Sequence, residues 1–147
     1  MKWASKRSII RNIIAIDMEQ KQKILIIEDD PLIRDLYRDA FRLNDFEVEI
    51  AENGIDGLRI LKNFAVKPCV ILLDIMMPNM NGFDVLEQFK KNSETKDIPV
   101  VILSNLAQRQ DIDKALKLGA VMYLVKAQHS PKDIIEKIKQ IIQDSSK

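Results

Sequence analysis

Apolar residues from Lys23 onward fall into two kinds of pattern that alternate along the chain. Short runs in which most residues are apolar are followed by longer segments whose apolar residues recur every three or four positions. Continuous runs are typical of strands buried on both faces, and the three-to-four spacing predicts helices packed on one side. We therefore predict five strands alternating with five helices, the strands lying at 24–27, 46–50, 70–73, 99–103 and 121–125.

Residues that start or stop helices follow these strands at the expected places. Asp30 before Pro31 predicts a capped helix start, and the segment from Ser130 to Asp133 has the chemistry of a capping box. Gly119 is a natural end for the fourth helix. The apolar stripes of the first, second and fourth helices include Leu32, Leu36, Ile55 and Leu116.

Regular alternation of strand and helix predicts a parallel sheet covered by helices on both faces, with right-handed crossovers. Only the segment 46–50 alternates strictly between apolar and charged residues, which suits a strand at the sheet edge. The order 2-1-3-4-5, one of the two common doubly wound orders, places the second strand there. We predict an α/β fold of the flavodoxin-like kind, (βα)5, in a single domain at 21–145.

Polar residues follow four of the predicted strands directly. The first strand leads to Glu28 and Asp29, the third to Asp74, the fourth to Ser104 and the fifth to Lys126. The carboxyl ends of parallel strands meet at one edge of the sheet, where open α/β proteins place ligands. We therefore expect three carboxylates, a hydroxyl and an ammonium group to share one cleft.

This combination of groups indicates a particular chemistry. Three carboxylates in close contact raise one another's pKa values, and one lysine cannot neutralise them. Oxygen ligands that leave positions for water and phosphate suit Mg²⁺. A carboxylate beside Mg²⁺ and a lysine is a candidate phosphoryl acceptor that forms an acyl phosphate. In this interpretation Lys126 contacts the phosphoryl oxygens and Ser104 donates a hydrogen bond to one of them.

Composition excludes several other classes of protein. The formal net charge of the 147 residues is +1, which gives no electrostatic footprint for nucleic acid. The single cysteine, Cys69, excludes an intrachain disulfide and fits a reducing cytoplasm. No apolar stretch approaches the roughly 18 residues of a membrane span, so we predict no stable membrane insertion.

Residues 1–20 differ from the rest of the chain, because several isoleucines are mixed there with four basic residues. They lack the apolar core and cleavage site of a signal peptide. Three interpretations of this N-terminal extension stay open: a disordered tail, an amphipathic helix that docks on a partner or membrane surface, and sequence that precedes a true start at Met18.

Four motifs at the strand ends resemble those of receiver domains of two-component response regulators, in particular the stand-alone, chemotaxis-regulator-like kind. The similarity covers roughly residues 23–143. The matching segments, in chain order, are Ile26-Ile27-Glu28-Asp29-Asp30, Leu73-Asp74-Ile75-Met76-Met77-Pro78-Asn79-Met80-Asn81-Gly82, Pro99-Val100-Val101-Ile102-Leu103-Ser104, and Gly119-Ala120 followed by Tyr123-Leu124-Val125-Lys126.

The resemblance implies a role for each residue at the strand ends. Asp74 would be phosphorylated by a partner histidine kinase or histidine phosphotransfer protein, with Lys126 contacting the phosphate and Ser104 and Tyr123 forming the switch. The implied Mg²⁺ ligands are Glu28, Asp29, Asp74 and the backbone carbonyl of Met76. No enzymatic activity is expected beyond self-phosphorylation and autodephosphorylation at Asp74.

We expect a stand-alone receiver, because the last predicted helix ends within a few residues of Lys147. Its output would pass through protein contacts at the face formed by the fourth helix, fifth strand and fifth helix, with contributions from Arg109, Lys114, Lys117 and Tyr123. One alternative is an intermediate phosphate carrier in a phosphorelay. Another is a small phosphatase with an aspartate nucleophile, although Met76 stands where that chemistry usually needs a second carboxylate.

Three departures from the receiver pattern have expected consequences. Ala127 follows Lys126 where many members have proline, and a cis bond without proline costs about 2.5–4 kcal/mol, so we predict a trans bond. Asn105 stands where a small residue is usual, next to the phosphate entrance. Met76 and Leu106 would flank the water that hydrolyses the phosphoryl group, and neither orients water well, which predicts a long-lived phosphorylated state.

Overall fold

The computed structural model describes residues 6–11 and 21–146. Within 21–146 the strands and helices alternate as β1 Lys23–Ile27, α1 Pro31–Leu43, β2 Glu47–Ala51, α2 Gly54–Lys62, β3 Val70–Leu73, α3 Gly82–Lys91, β4 Val100–Ser104, α4 Arg109–Lys117, β5 Met122–Val125 and α5 Pro131–Ser145. A short 3₁₀ helix, Lys126–Gln128, joins β5 to α5. The sheet is parallel throughout, in the order β2-β1-β3-β4-β5. The predicted fold class and strand order are confirmed.

The register between neighbouring strands determines which residues meet at the carboxyl edge of the sheet. Ile27 at the end of β1 pairs with Leu73 at the end of β3, so the residues that follow them emerge side by side. Ser104 pairs with Val125, which brings the residue after β5 close to the end of β4. The carboxyl ends of β1, β3, β4 and β5 therefore lie close together at one edge of the sheet.

Two hydrophobic layers cover the sheet, because successive strand residues face opposite sides. One layer packs the side chains of α2, α3 and α4 against residues such as Ile27, Leu73 and Ile102. The other packs α1 and α5 against residues such as Ile26 and Leu72. The three interior strands, β1, β3 and β4, are buried on both faces, which explains their nearly continuous apolar sequence.

Side chains near the helix ends act largely as the sequence predicts. The Asp30 carboxylate accepts hydrogen bonds from the backbone N–H groups of Leu32 and Ile33. Ser130 and Asp133 form a reciprocal capping box at the start of α5. Beyond α4, Gly119 adopts a φ of 109°, a left-handed conformation that favours glycine.

Four leucine and isoleucine residues assigned to buried helix stripes are exposed instead. Leu32 and Leu36 of α1 have 80% and 53% of their surface exposed, and Ile55 and Leu116 also face solvent. The face of α1 that packs on the sheet is set by Tyr37 and Phe41. Helical geometry turns Leu32 and Leu36 away from that face, so these two leucines were wrongly placed in the core.

Residues 6–11 are helical and exposed. The other residues of the 1–20 extension lie outside the described part of the chain, so its three interpretations stay open. None of the described helices is both long and apolar enough to cross a membrane.

Candidate functional site

Three carboxylates converge where β1 and β3 end. Glu28 and Asp74 are buried, and Asp29 between them and solvent is partly exposed. One oxygen from each of the three carboxylates lies within 4.8 Å of the others. We call Glu28, Asp29 and Asp74 the acidic cluster.

Lys126 reaches the acidic cluster from the end of β5. Its Nζ donates to both carboxylate oxygens of Glu28, at 3.0 and 3.2 Å, and to Oδ2 of Asp74 at 3.3 Å. The side chain is only 12% exposed. The Lys126–Ala127 peptide bond is trans, which confirms that prediction.

The loop after β3 holds the other oxygen of Asp74. The Met76 backbone N–H donates to Oδ1 at 3.2 Å, while the Met76 side chain points outward and is 60% exposed. The Gly82 backbone N–H then donates to the Ile75 carbonyl at 2.9 Å and folds the loop back against the strand. Asp74 is thus oriented by one backbone donor and one ammonium group. The role of the Met76 carbonyl as a metal ligand stays a prediction.

Burial and the neighbouring Asp74 raise the pKa of one member of the acidic cluster, Glu28. Burial, followed by the neighbouring Asp74, raises the pKa of Glu28 from 4.5 to about 8, against the opposing effect of Lys126. Burial lowers the pKa of Lys126, but the attraction of Asp74 and Glu28 outweighs it, and the net shift is upward. Lys126 therefore stays charged, and without a cation Glu28 tends to hold a proton near neutral pH.

This shift predicts how the stability of the metal-free protein depends on pH. Between pH 4.5 and 8 the folded protein binds more protons at Glu28 than the unfolded chain does. The free energy of unfolding should therefore fall as pH rises through this window, and level off above it. Urea unfolding at a series of pH values in chelator measures the slope, and Glu28→Gln should flatten it. An equal slope in both proteins would contradict the prediction.

Ser104 and Tyr123 are linked through one residue, Leu106. The fully buried Ser104 accepts the Leu106 backbone N–H on its Oγ at 3.2 Å, and the Tyr123 hydroxyl donates to the Leu106 carbonyl at 2.5 Å. Any movement of the Ser104 hydroxyl toward Asp74 would therefore disturb the loop that holds Tyr123. The two residues implied as a switch are mechanically connected, and their switching role stays a prediction.

A cleft open to solvent lies above the acidic cluster, with a rim that includes Met76, Asn105 and Lys126. Met76 and Asn105 thus stand at the entrance, as expected. Leu106 is not part of this cleft: its side chain packs against the core beside Tyr123. The expectation that Leu106 flanks the water that hydrolyses the phosphoryl group stays a prediction.

Sequence reasoning missed Arg34, which lies under the acidic cluster. Its Nη1 donates to the backbone carbonyls of Glu28 at 3.2 Å and Asp29 at 3.0 Å. The available signal was a basic residue one turn into α1, four positions after the helix cap. Such residues are common on exposed helix faces, so the spacing alone carried no weight.

The donor set of the acidic cluster fits a hard divalent cation. Its three carboxylates offer oxygen ligands only, and the cleft leaves room for water and phosphate oxygens, as Mg²⁺ prefers. Among the described residues, the Lys126 ammonium is the cation that donates to these carboxylates, while the Arg34 guanidinium donates to the backbone carbonyls of Glu28 and Asp29. Three ionised carboxylates therefore leave a negative site.

The response regulator receiver domain family matches residues 24–139 of this chain. The chain belongs to that family. Among curated relatives it is 33% identical over 132 residues to the probable transcriptional regulator ycf27 of Guillardia theta, covering 90% of this chain and 50% of that protein. It is 35% identical over 119 residues to the DNA-binding dual master transcriptional regulator RpaA of Synechocystis, covering 81% of this chain and 47% of that protein. This receiver spans about half the length of these relatives.

Solved structures resemble this receiver over most of its length. The receiver domain protein (CheY-like) from Methanospirillum hungatei has a TM-score of 0.79 at 28% identity, covering 86% of this chain and 98% of that chain. A receiver domain protein from Clostridium thermocellum has a TM-score of 0.77 at 29% identity, with 85% and 97% covered. The homologues are response regulators, and the receiver-domain resemblance inferred from the four motifs is confirmed.

Proposed function

We propose that this receiver accepts one phosphoryl group on Asp74, in the presence of Mg²⁺, from a histidine kinase or histidine phosphotransfer protein in the cytoplasm. The observation that carries the proposal is the position of Asp74. It is buried and oriented by Lys126 and the Met76 N–H, and it lies next to two further carboxylates at the floor of an open cleft. Intact mass after incubation with a small phosphodonor, with and without Mg²⁺, tests this function.

The chain's own residues account for the proposed steps. Mg²⁺, held by Glu28, Asp29 and Asp74, would supply charge stabilisation to the phosphoryl oxygens. Lys126 already donates to Asp74, so its ammonium group is placed to contact the oxygens of a phosphoryl group bound there. Ser104 would donate its hydroxyl to a phosphoryl oxygen. Asp74 accepts the phosphoryl group, and the same acyl phosphate is later hydrolysed. No activity on other substrates is proposed.

Output through the face of α4, β5 and α5 is the second part of the proposal. Arg109, Lys114 and Lys117 of α4 are exposed, and the Lys114 ammonium lies 4.4 Å from the centre of the Phe83 ring of α3. A rearrangement of Tyr123 and Leu106 on phosphorylation would reach this face directly. Signalling through phosphorylation-dependent protein contacts at this face is the output we propose, and passing the phosphate onward in a relay is the alternative.

Mg²⁺ should stabilise the protein measurably. It neutralises a negative site that exists only in the folded state, so at about ten times its dissociation constant it should add roughly 1.4 kcal/mol to the free energy of unfolding. A thermal melt across a Mg²⁺ titration measures this, with Asp74→Asn as the variant that should respond less. A melting temperature independent of Mg²⁺ would argue against a metal site.

The phosphorylated state should be long-lived because Met76 lies beside the approach of hydrolytic water. A thioether is a weak acceptor and donates no hydrogen bond, so it cannot hold water in line with the phosphorus. Met76→Asn should shorten the lifetime of phosphorylated Asp74, whereas Met76→Leu should leave it unchanged. The measurement is loss of the phosphorylated mass after removal of the phosphodonor. Equal lifetimes in all three proteins would show that this position does not control hydrolysis.

A further inference from the structure

The loop between β1 and α1 carries two of the three carboxylates, Glu28 and Asp29. The side chain of Arg34 in α1 donates hydrogen bonds to the backbone of this loop. Arg34 lies one turn into α1, and its side chain is only 15% exposed. One nitrogen, Nη1, has two hydrogens and donates to two successive backbone carbonyls, those of Glu28 and Asp29. The other nitrogen, Nη2, lies 3.8 Å from Glu52, which is mostly exposed.

These hydrogen bonds connect helix α1 to the backbone of the loop that carries Glu28 and Asp29. The Arg34 backbone N–H donates to the Asp30 carbonyl at 2.9 Å, which makes it part of the first hydrogen-bonded turn of α1. The Asp30 side chain caps the same turn. The guanidinium then returns over the loop, so the residues from Glu28 to Asp30 are held by the helix cap at one end and by Arg34 at the other.

We propose that Arg34 is a positioning residue for divalent-cation binding: it fixes the backbone from which Glu28 and Asp29 project into the acidic cluster. This inference rests on the proposed Mg²⁺ site. Residues that orient metal ligands typically change metal affinity by 10–100-fold when they are removed. Arg34 acts on the ligands through their backbone, so we expect an effect near the lower end of that range.

Because Arg34 is positively charged, its charge and its positioning of the loop have opposite effects on Mg²⁺ affinity. A guanidinium group close to the site repels a divalent cation, so removing it should tighten Mg²⁺ binding if charge alone mattered. Loss of positioning has the opposite sign and should weaken binding. The direction of the change in affinity therefore decides between the two effects.

The experiment measures Mg²⁺ binding by isothermal titration calorimetry in wild type, Arg34→Met, Arg34→Lys and Arg38→Met. Methionine keeps an unbranched apolar chain but removes the charge and the donors. Lysine keeps the charge, but its nitrogen is one bond closer to the backbone. Arg38 is the matched control, because it lies one turn later on α1 and contacts Asp35 and Asp39 instead of the loop. Circular dichroism selects a temperature at which each protein is folded, so that affinity is compared at equal folded fraction.

We expect the Mg²⁺ dissociation constant to rise about tenfold in Arg34→Met, to rise less in Arg34→Lys, and to stay level or fall in Arg38→Met. A dissociation constant for Arg34→Met equal to or below that of wild type overturns the proposal. If Arg34→Met does not fold, Arg34→Lys decides: weaker binding than wild type supports positioning, and equal binding overturns it. Absence of Mg²⁺ binding by wild type overturns the proposed metal site as well, whereas normal wild-type binding with unaffected variants overturns the role of Arg34 alone.

Discussion

Asp74→Asn is expected to take up no phosphoryl group from acetyl phosphate and Mg²⁺, under conditions in which the wild-type receiver takes up one. Asparagine has nearly the same shape as aspartate, and its amide oxygen can still accept the Met76 N–H that orients Asp74 Oδ1. What it lacks is the negative oxygen that attacks phosphorus and keeps the acyl phosphate. The loss should therefore be complete while the fold is retained.

Intact mass spectrometry measures the adduct directly, with a chelator to show dependence on the metal and brief treatment with base to show the lability of an acyl phosphate. Asp84→Asn is the matched control. Asp84 is an exposed aspartate in the first turn of α3, ten residues further along, and its removal should leave phosphorylation unchanged. Phosphorylation of Asp74→Asn at the wild-type level would show that another residue is the acceptor.

The fold was predictable because the sheet imposes its pattern on the sequence. Residues 70–73 and 24–27 are buried on both faces, so every position is apolar, and the run is easy to recognise. In 46–50 the apolar residues Phe46, Val48 and Ile50 pack in the layer with α1 and α5, and the alternate positions of this edge strand are Glu47 and Glu49. Helix faces were less predictable: Leu32 and Leu36 satisfy the helical spacing, but only the contacts of Tyr37 and Phe41 decide which stripe meets the sheet.

The acidic cluster was predictable for a topological reason. In a parallel sheet, residues that directly follow strands share one edge, so Glu28, Asp74 and Lys126 could be brought together from strand ends alone. Arg34 and Leu106 could not be placed in this way. Arg34 contacts the loop only because its long side chain bends back from α1. The Leu106 backbone bonds to the side chains of Ser104 and Tyr123, and its own side chain packs against the core. Side-chain paths and loop turns depend on three-dimensional contacts that spacing does not encode.

From the sequence, Gly82 was assigned only as the end of a loop. In the structure this position has no room for a side chain. A methyl group at this position would lie 2.2 Å from the backbone oxygen of Asp74 and 2.7 Å from the Cα atom of Ile75. Both contacts are with backbone, which cannot rotate away as a side chain can. Relief requires the start of α3 and the end of β3 to separate, and that movement displaces the phosphoryl acceptor.

Gly82→Ala should therefore lower the free energy of unfolding by roughly 3 kcal/mol, at the upper end of the usual cost of overpacking, and should slow phosphorylation of the molecules that remain folded. Urea unfolding and the rate of adduct formation measure the two effects. Gly57→Ala is the matched control, because its methyl group would meet the end of the Ile27 side chain at 2.5 Å, which can adjust. Gly57 lies inside α2 and gains about 1 kcal/mol of helix propensity on this change, whereas Gly82 is the first residue of α3 and gains less. A stability difference between the two variants well above about 1 kcal/mol therefore reports the backbone contact. Equal stability of the two variants would show that α3 and β3 separate at little cost. An unchanged rate of adduct formation in Gly82→Ala would show that Asp74 does not depend on a glycine at this position.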